Sequence, residues 1–255
     1  MSYFGSTDFL IEVAKGKVPG HSIVNVFGRN NDIDTGTTPE SIWHGGDLYD
    51  GFNATGAETV NISSASANDT SAGTGARTIL IDGLDASFNP QTETIIMNGT
   101  SNVTSVNSYI RQPNAYVLTA GSGGVNAGVI SSVQSSSGVQ FMAMPAETNQ
   151  THIACYTVPT GYTGYIVALK STLNDANNTS ARMDIFIREE GSVFRSKIPF
   201  GISQGGGSVG FGDGCIPQEE AEEKADIDCR CITTSSNGTD VSIKMAILLV
   251  DNDYI

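Results

Sequence analysis

Turn-forming residues recur about every ten residues from Ala54 to the C-terminus, and short stretches rich in Val, Ile, Thr and Tyr run between them. That spacing leaves room for strands and little room for helices. The filler is neutral and polar: glycine supplies 29 of 255 residues, and Ser, Thr and Asn crowd the middle of the chain. Gly, Asn and Ser suit turns, while Thr suits a pleated strand. The fold class is therefore all-β, with an N-terminal extended arm and two β-sandwich or jelly-roll-like domains.

Three segments follow from the pattern. The first, 1–52, starts with a short helix over Phe9 to Lys15, capped by Thr7 or Asp8 and stopped by Gly16. Beyond it Val24, Val26, Phe27, Ile42 and Trp43 lie without a period among Pro19-Gly20, Asn30-Asn31-Asp32 and Gly45-Gly46. Such a segment cannot close a core alone, so it is expected to lie as an arm on the chain's own body or on another subunit. The second, 53–137, carries strands at Thr59 to Ser63, Arg77 to Leu84 and Thr92 to Met97, with Asn98-Gly99 read as a hairpin turn. The third, 138–255, carries strands at Thr151 to Val158, Thr163 to Thr172, Ala181 to Arg188, Val193 to Phe200, Ile227 to Thr234 and Val241 to Val250. Ser235 to Gly238 reads as another hairpin. Ala246 to Val250 is uniformly apolar, which predicts a central strand buried on both faces. Ser135 to Gly138 is expected to be the joint between the two domains.

Charge and composition narrow the function. Acidic residues outnumber basic ones 27 to 13, for a net charge of −14, and no cluster of Lys and Arg exists to neutralise phosphates. Nucleic acid and anionic membrane surfaces are thereby disfavoured as partners. No stretch reaches the ~18 apolar residues of a membrane span. Met1 to Val13 carries Asp8 and Glu12 and lacks the pattern of a secretory leader, so cytoplasmic folding is expected. Cys155, Cys215, Cys229 and Cys231 are then thiols, and two positions apart in a strand put Cys229 and Cys231 on one face.

The motifs that resemble chemical sites have plainer readings. Only His21, His44 and His152 stand beside the cysteines, so neither a zinc site nor a Ser-His-Asp arrangement finds support. Gly121 to Gly124 and Gly205 to Gly207 lack the helix and lysine of a phosphate loop. Glu219 to Glu223 offers crowded carboxylates for a cation, but a charge run beside Pro217 reads as a solvated loop. Trp43 and the tyrosines are too few for a sugar-stacking tip. No catalytic residue, metal or cofactor is expected.

Several runs resemble uncharacterised structural proteins of tailed-phage virions, marine short-tailed phages included. They are Ala14 to His21, Phe27-Gly28-Arg29, Ser41 to Gly46, Ala67 to Thr78, Asp82 to Asp85, Met97 to Thr100, Asn107 to Tyr109, Asn237 to Val241 and Leu248 to Asp251. The resemblance spans all three segments and implies a virion protein assembled in the host cytoplasm. It is expected to be a decoration or cement protein on the particle surface, or alternatively a tail or fibre component in host attachment. The partners implied are the major capsid protein or other virion proteins, with a homotrimer as the oligomer. The residues expected to bind capsid or subunit are Phe9, Leu10, Val13, Val24, Phe27, Ile42 and Trp43. On this view, removing residues 1–45 leaves two folded domains that no longer attach.

Overall fold

The computed structural model describes residues 6–36, 38–174, 179–204, 209–211 and 219–255. Helix α1 (Ser6–Ala14) precedes β1 (His21–Ile33) and β2 (Glu40–Ser41). Then come β3 (Glu58–Ser64), β4 (Ala76–Leu84), β5 (Pro90–Ile96), β6 (Val103–Tyr109), β7 (Arg111–Ala120), β8 (Ile130–Gln134) and β9 (Gln140–Met144). The last group is β10 (Cys155–Thr157), β11 (Tyr162–Leu173), β12 (Ser180–Arg188), β13 (Arg195–Ser203), β14 (Val209–Phe211), β15 (Glu219–Ala221), β16 (Asp226–Thr234) and β17 (Thr239–Asp251). The fold is all-β with a short N-terminal α-helix, as the turn spacing implies.

The chain divides into two compact units: residues 1–42 with 154–255, and residues 43–153 between them. This differs from a linear order of arm, 53–137 and 138–255. The arm is no arm: β1 pairs antiparallel with β17 along its length, and β2 pairs with β16. Ser135 to Gly138 is no joint either, but the turn of the β8–β9 pair, with Gly138 at φ +77°. Where the chain leaves the first unit, Ala154 N donates to Ile42 O at 2.8 Å. In the second unit Trp43 and Ile153 form an antiparallel bridge.

The first unit is a sandwich. One sheet runs β1-β17-β11-β14, with β15 also on β11, and the other runs β10-β16-β12-β13, with β2 on β16. Val26, Ile166, Met245 and Ile247 of the first sheet meet Met183, Ile185, Cys229 and Cys231 of the second in one core. β17 is central, as its apolar run predicts: Ile247 and Leu249 enter the core, while Leu248 and Val250 pack on the opposite face beneath Val13 of α1. Each such burial contributes roughly 1.5–3 kcal/mol. Gly16 ends α1 at φ +68°, where its N–H bonds Val13 O and the Lys17 N–H bonds Glu12 O, at 2.8 and 2.9 Å.

The second unit is also a sandwich, with sheets β6-β3-β8-β9 and β5-β4-β7 around Ile62, Ile79, Ile81, Tyr109, Phe141 and Met144. Trp43, Tyr49 and Phe52 are buried in edge-to-face contact, with ring centroids 5.1 and 4.9 Å apart. Gly45 lies against the Trp43 ring, where a Cβ would come within 2.2 Å.

Local turn chemistry misidentified two pairings. Asn98-Gly99 joins β5 to β6, and Ser235 to Gly238 joins β16 to β17; in both cases the joined strands belong to different sheets. Gly99 and Gly238 do take positive φ, +63° and +67°, so the turn is legible while its strand partners are not. The acidic run is not a solvated loop. Glu219 to Ala221 is a strand on β11, Glu219 pairs with Lys197 at 3.2 Å, and Glu223 accepts from Gly161 N at 2.6 Å. Within the glycine-rich stretch, Val209–Phe211 forms β14 on β11; Gly205 to Gly207 and Cys215 lie outside the described residues. Cys155, Cys229 and Cys231 are free and buried.

Candidate functional site

The apolar residues expected to form one anchor are divided between the units. Ile42 is buried in the first core and donates its N–H to Cys229 O, whereas Trp43 is buried in the second unit. Val24 packs against the first core, Phe27 is half-buried on β1, and Val13 holds α1 to β17. Only the start of α1 remains outward: Phe9 is 39 % exposed and Leu10 half-buried. The arm hypothesis failed because β17, more than two hundred residues away, supplies the cover that neighbouring sequence lacks.

What α1 leaves outward joins the chain's end. Phe9 meets the His21 ring edge-on at 5.7 Å, and His21 meets Tyr254 at 6.4 Å. Tyr254 lies over Gly20, at φ +69°, where a Cβ would come within 2.4 Å of the ring. Phe9, His21 and Tyr254 thus make an aromatic cluster on the first unit.

A second face belongs to the β5-β4-β7 sheet, and sequence reasoning missed it. Leu80, at the centre of β4, has Thr94 of β5 on one side and Tyr116 of β7 on the other. Thr78 is flanked by Ile96 and Thr119, and Asp82 by Thr92 and Asn114. Ile96 is 61 % exposed, Leu118 45 % and Tyr116 38 %. The available signal was the pair Ile95-Ile96: neighbouring residues of a strand point to opposite faces, so one must turn outward when the other enters the core. Asp82 is half-buried, and its carboxylate has no hydrogen-bond or ion-pair partner among the described residues. Burial pushes that carboxyl up from its ordinary value.

Several other carboxylates are held by donors within the fold. On the outward face of the β10-β16-β12-β13 sheet, Arg188 binds Asp226 at 2.5 Å, and Thr157 Oγ1 donates to the same carboxylate at 2.6 Å. Arg230 binds Asp228 at 2.6 Å, with its guanidinium carbon 4.5 Å from the ring centres of Phe186 and Phe194. Burial pushes the Asp228 carboxyl up, and Arg230 opposes it. In the second unit Asp69, fully buried, accepts from Ser64 Oγ, Ala76 N, Ala127 N and Gly128 N at 2.5–2.9 Å. That network explains the run from Ala67 to Thr78: the loop wraps a carboxylate, and Gly75 packs so closely on it that a Cβ would lie 2.1 Å from Asp69 Oδ1. Among the described residues, no three His, Cys, Asp or Glu side chains are grouped to hold a metal. A hollow of about 480 Å³ lies on the first unit, lined by Arg182, Gly201, Thr233 and Ser235 among others. Among the described residues, no helix is long and apolar enough to cross a membrane.

No family model and no curated protein matches the sequence. Among solved structures, that of the Gx strain of infectious bursal disease virus aligns at 6 % identity over 91 % of this chain and 72 % of that chain, with a TM-score of 0.25. The VP2 subviral particle of the same virus aligns at 10 % identity over 92 % and 73 %, with a TM-score of 0.21. Scores this low carry no argument about fold or role.

Proposed function

We propose that this chain is a structural protein of a tailed-phage virion, a decoration or cement subunit on the particle surface, that binds other virion proteins and is not an enzyme. The observation that carries the reading is the uncovered face of the β5-β4-β7 sheet, where Ile96, Tyr116 and Leu118 stand in solvent. Contiguous exposed apolar groups on a soluble domain mark contact surfaces. The quoted sequence runs add the particle as the setting, and they alone support the homotrimer and assembly in the host cytoplasm. The carboxylates at Asp69, Asp226 and Asp228 serve the fold, each held by donors of its own unit. The test is protein analysis of purified particles from the phage that encodes this chain. Abundance comparable with the major capsid protein supports a decoration subunit. Absence from particles, with the protein present in the infected cell, rejects the virion reading.

One observation favours the tail or fibre reading. The hollow beside Arg182 carries hydroxyls of Ser180, Ser203, Thr233 and Ser235, a lining suited to a polar ligand such as a host saccharide. A copy number far below that of the capsid protein, with labelling at the tail, would select it.

A further inference from the structure

We propose that the outer face of the β5-β4-β7 sheet docks a different virion protein, whose contact patch is apolar around one lysine or arginine that reaches Asp82. The proposal rests on the virion reading above and adds the partner's chemistry. The face is nearly free of charge in a chain of net charge −14: Thr78, Leu80, Thr94, Ile96, Tyr116, Leu118 and Thr119 are all neutral. Asp82 is the exception. It stands in the middle strand between Thr92 and Asn114, half-buried, with no partner for its carboxylate among the described residues. A carboxylate so placed is a poor neighbour for purely apolar cover, because further burial without a counter-charge costs free energy. Basic cover reverses that sign.

A second copy of the chain is the wrong occupant. A two-fold contact centred on this face would set one Asp82 towards another across the axis, between bodies that already repel. Size also points to a specific contact. Three strands about 4.8 Å apart, read over five residues at about 3.4 Å each, give a patch of a few hundred Å². That is less than the ~800 Å² per partner of a standard interface, so the patch suits the apolar centre of a larger contact, ringed by its own threonines.

The experiment uses the full-length chain and particles purified from a phage whose gene for it is deleted, with binding titrated at low and high salt. Wild type should bind saturably. Ile96→Lys and Leu118→Lys, both at exposed positions, should bind at least tenfold more weakly with unchanged thermal unfolding. Leu118→Ser is held in reserve as a gentler change if a lysine variant melts early. Asp82→Asn should weaken binding about tenfold at low salt and flatten its salt dependence. Equal binding by wild type and all the face variants overturns the proposal and leaves the virion reading standing. Asp82→Asn binding as well as wild type, with the lysine variants impaired, removes the basic partner and overturns it too. Self-association of wild type that the lysine variants abolish, seen by sedimentation, makes a second copy the occupant and overturns it. Wild type that fails to bind the particles rejects both the virion reading and the proposal built on it.

Discussion

In the first unit the outward residues of the central strand β17, Leu248 and Val250, lie beneath Val13 of α1; in the second, no helix among the described residues covers the outward Leu80 of the central strand β4. Both sheets put apolar groups on their outer faces, yet among the described residues only the first finds cover. The units also bury carboxylates differently. The second surrounds Asp69 with three backbone N–H groups and a hydroxyl, whereas the first pairs Asp226 and Asp228 with Arg188 and Arg230 beside phenylalanine rings. Backbone donors cannot leave without opening the loop they belong to. A guanidinium on a long side chain can swing to water. The second unit's loops are thus locked to its acid more tightly than the first unit's sheet is locked to its ion pairs.

Truncation should separate the units most sharply. Removing residues 1–42 deletes β1 and β2, and with them Val26, Ile33 and Ile42 from the first core. The expected result in urea is loss of the first unit's transition, with the second unit's retained. This replaces the expectation that two folded domains survive loss of the N-terminal segment. Removing only residues 1–15 should leave both transitions but uncover Leu248 and Val250, detected as new binding of an apolar dye. Two intact transitions after the longer truncation would mean that β1 is dispensable to the sandwich.

The buried acids come next. Asp69→Ala orphans three N–H groups and a hydroxyl, and should destabilise the second unit by roughly 3–5 kcal/mol in denaturant unfolding. Asp226→Ala should cost the first unit less, roughly 2–3 kcal/mol, because the Arg188 side chain is already 25 % exposed and can turn to solvent. The reverse order would contradict the distinction between backbone and guanidinium donors.

Thiol reactivity probes the first unit alone. Burial pushes the Cys155 and Cys229 thiols well up and takes Cys231 to about 11, so little thiolate exists at neutral pH. Native protein should leave these three unmodified by a thiol reagent on the timescale of minutes, and the unfolded chain without reductant should titrate four groups. Rapid native labelling of Cys229 would place it outside the core.

The smallest effects concern acid. Backbone N–H groups of Ser137 and Ser136 hold Glu58 below its ordinary value in the second unit, and Gly161 N–H does the same for Glu223 in the first. A depressed carboxyl contributes stability above its unfolded pKa and loses it as pH falls through the folded one. Glu58→Gln and Glu223→Gln should therefore each lower the neutral plateau of their own unit's stability curve slightly, leave its low-pH end unchanged and so flatten the acid limb. An unaltered acid limb in both would assign acid sensitivity to other groups.

Local chemistry was readable throughout. Gly16 stops α1, Gly99 and Gly238 sit at positive φ, Ala246 to Val250 marks the central strand, and Cys229 and Cys231 share a buried face. Each depends on one residue's conformational freedom or on the two-residue period of a strand, and both are properties of neighbours in sequence. The run around Asp69 was visible as a motif but not as a carboxylate cradle, because Ala127 and Gly128 come to it from across the unit. Tertiary structure alone decided that His21–Ile33 pairs with β17, that residues 43–153 interrupt the first unit, and that Leu80, Ile96 and Tyr116 share an open face. Strand pairing joins segments through backbone groups that every residue carries, so side-chain pattern says which face is apolar and not which strand lies alongside.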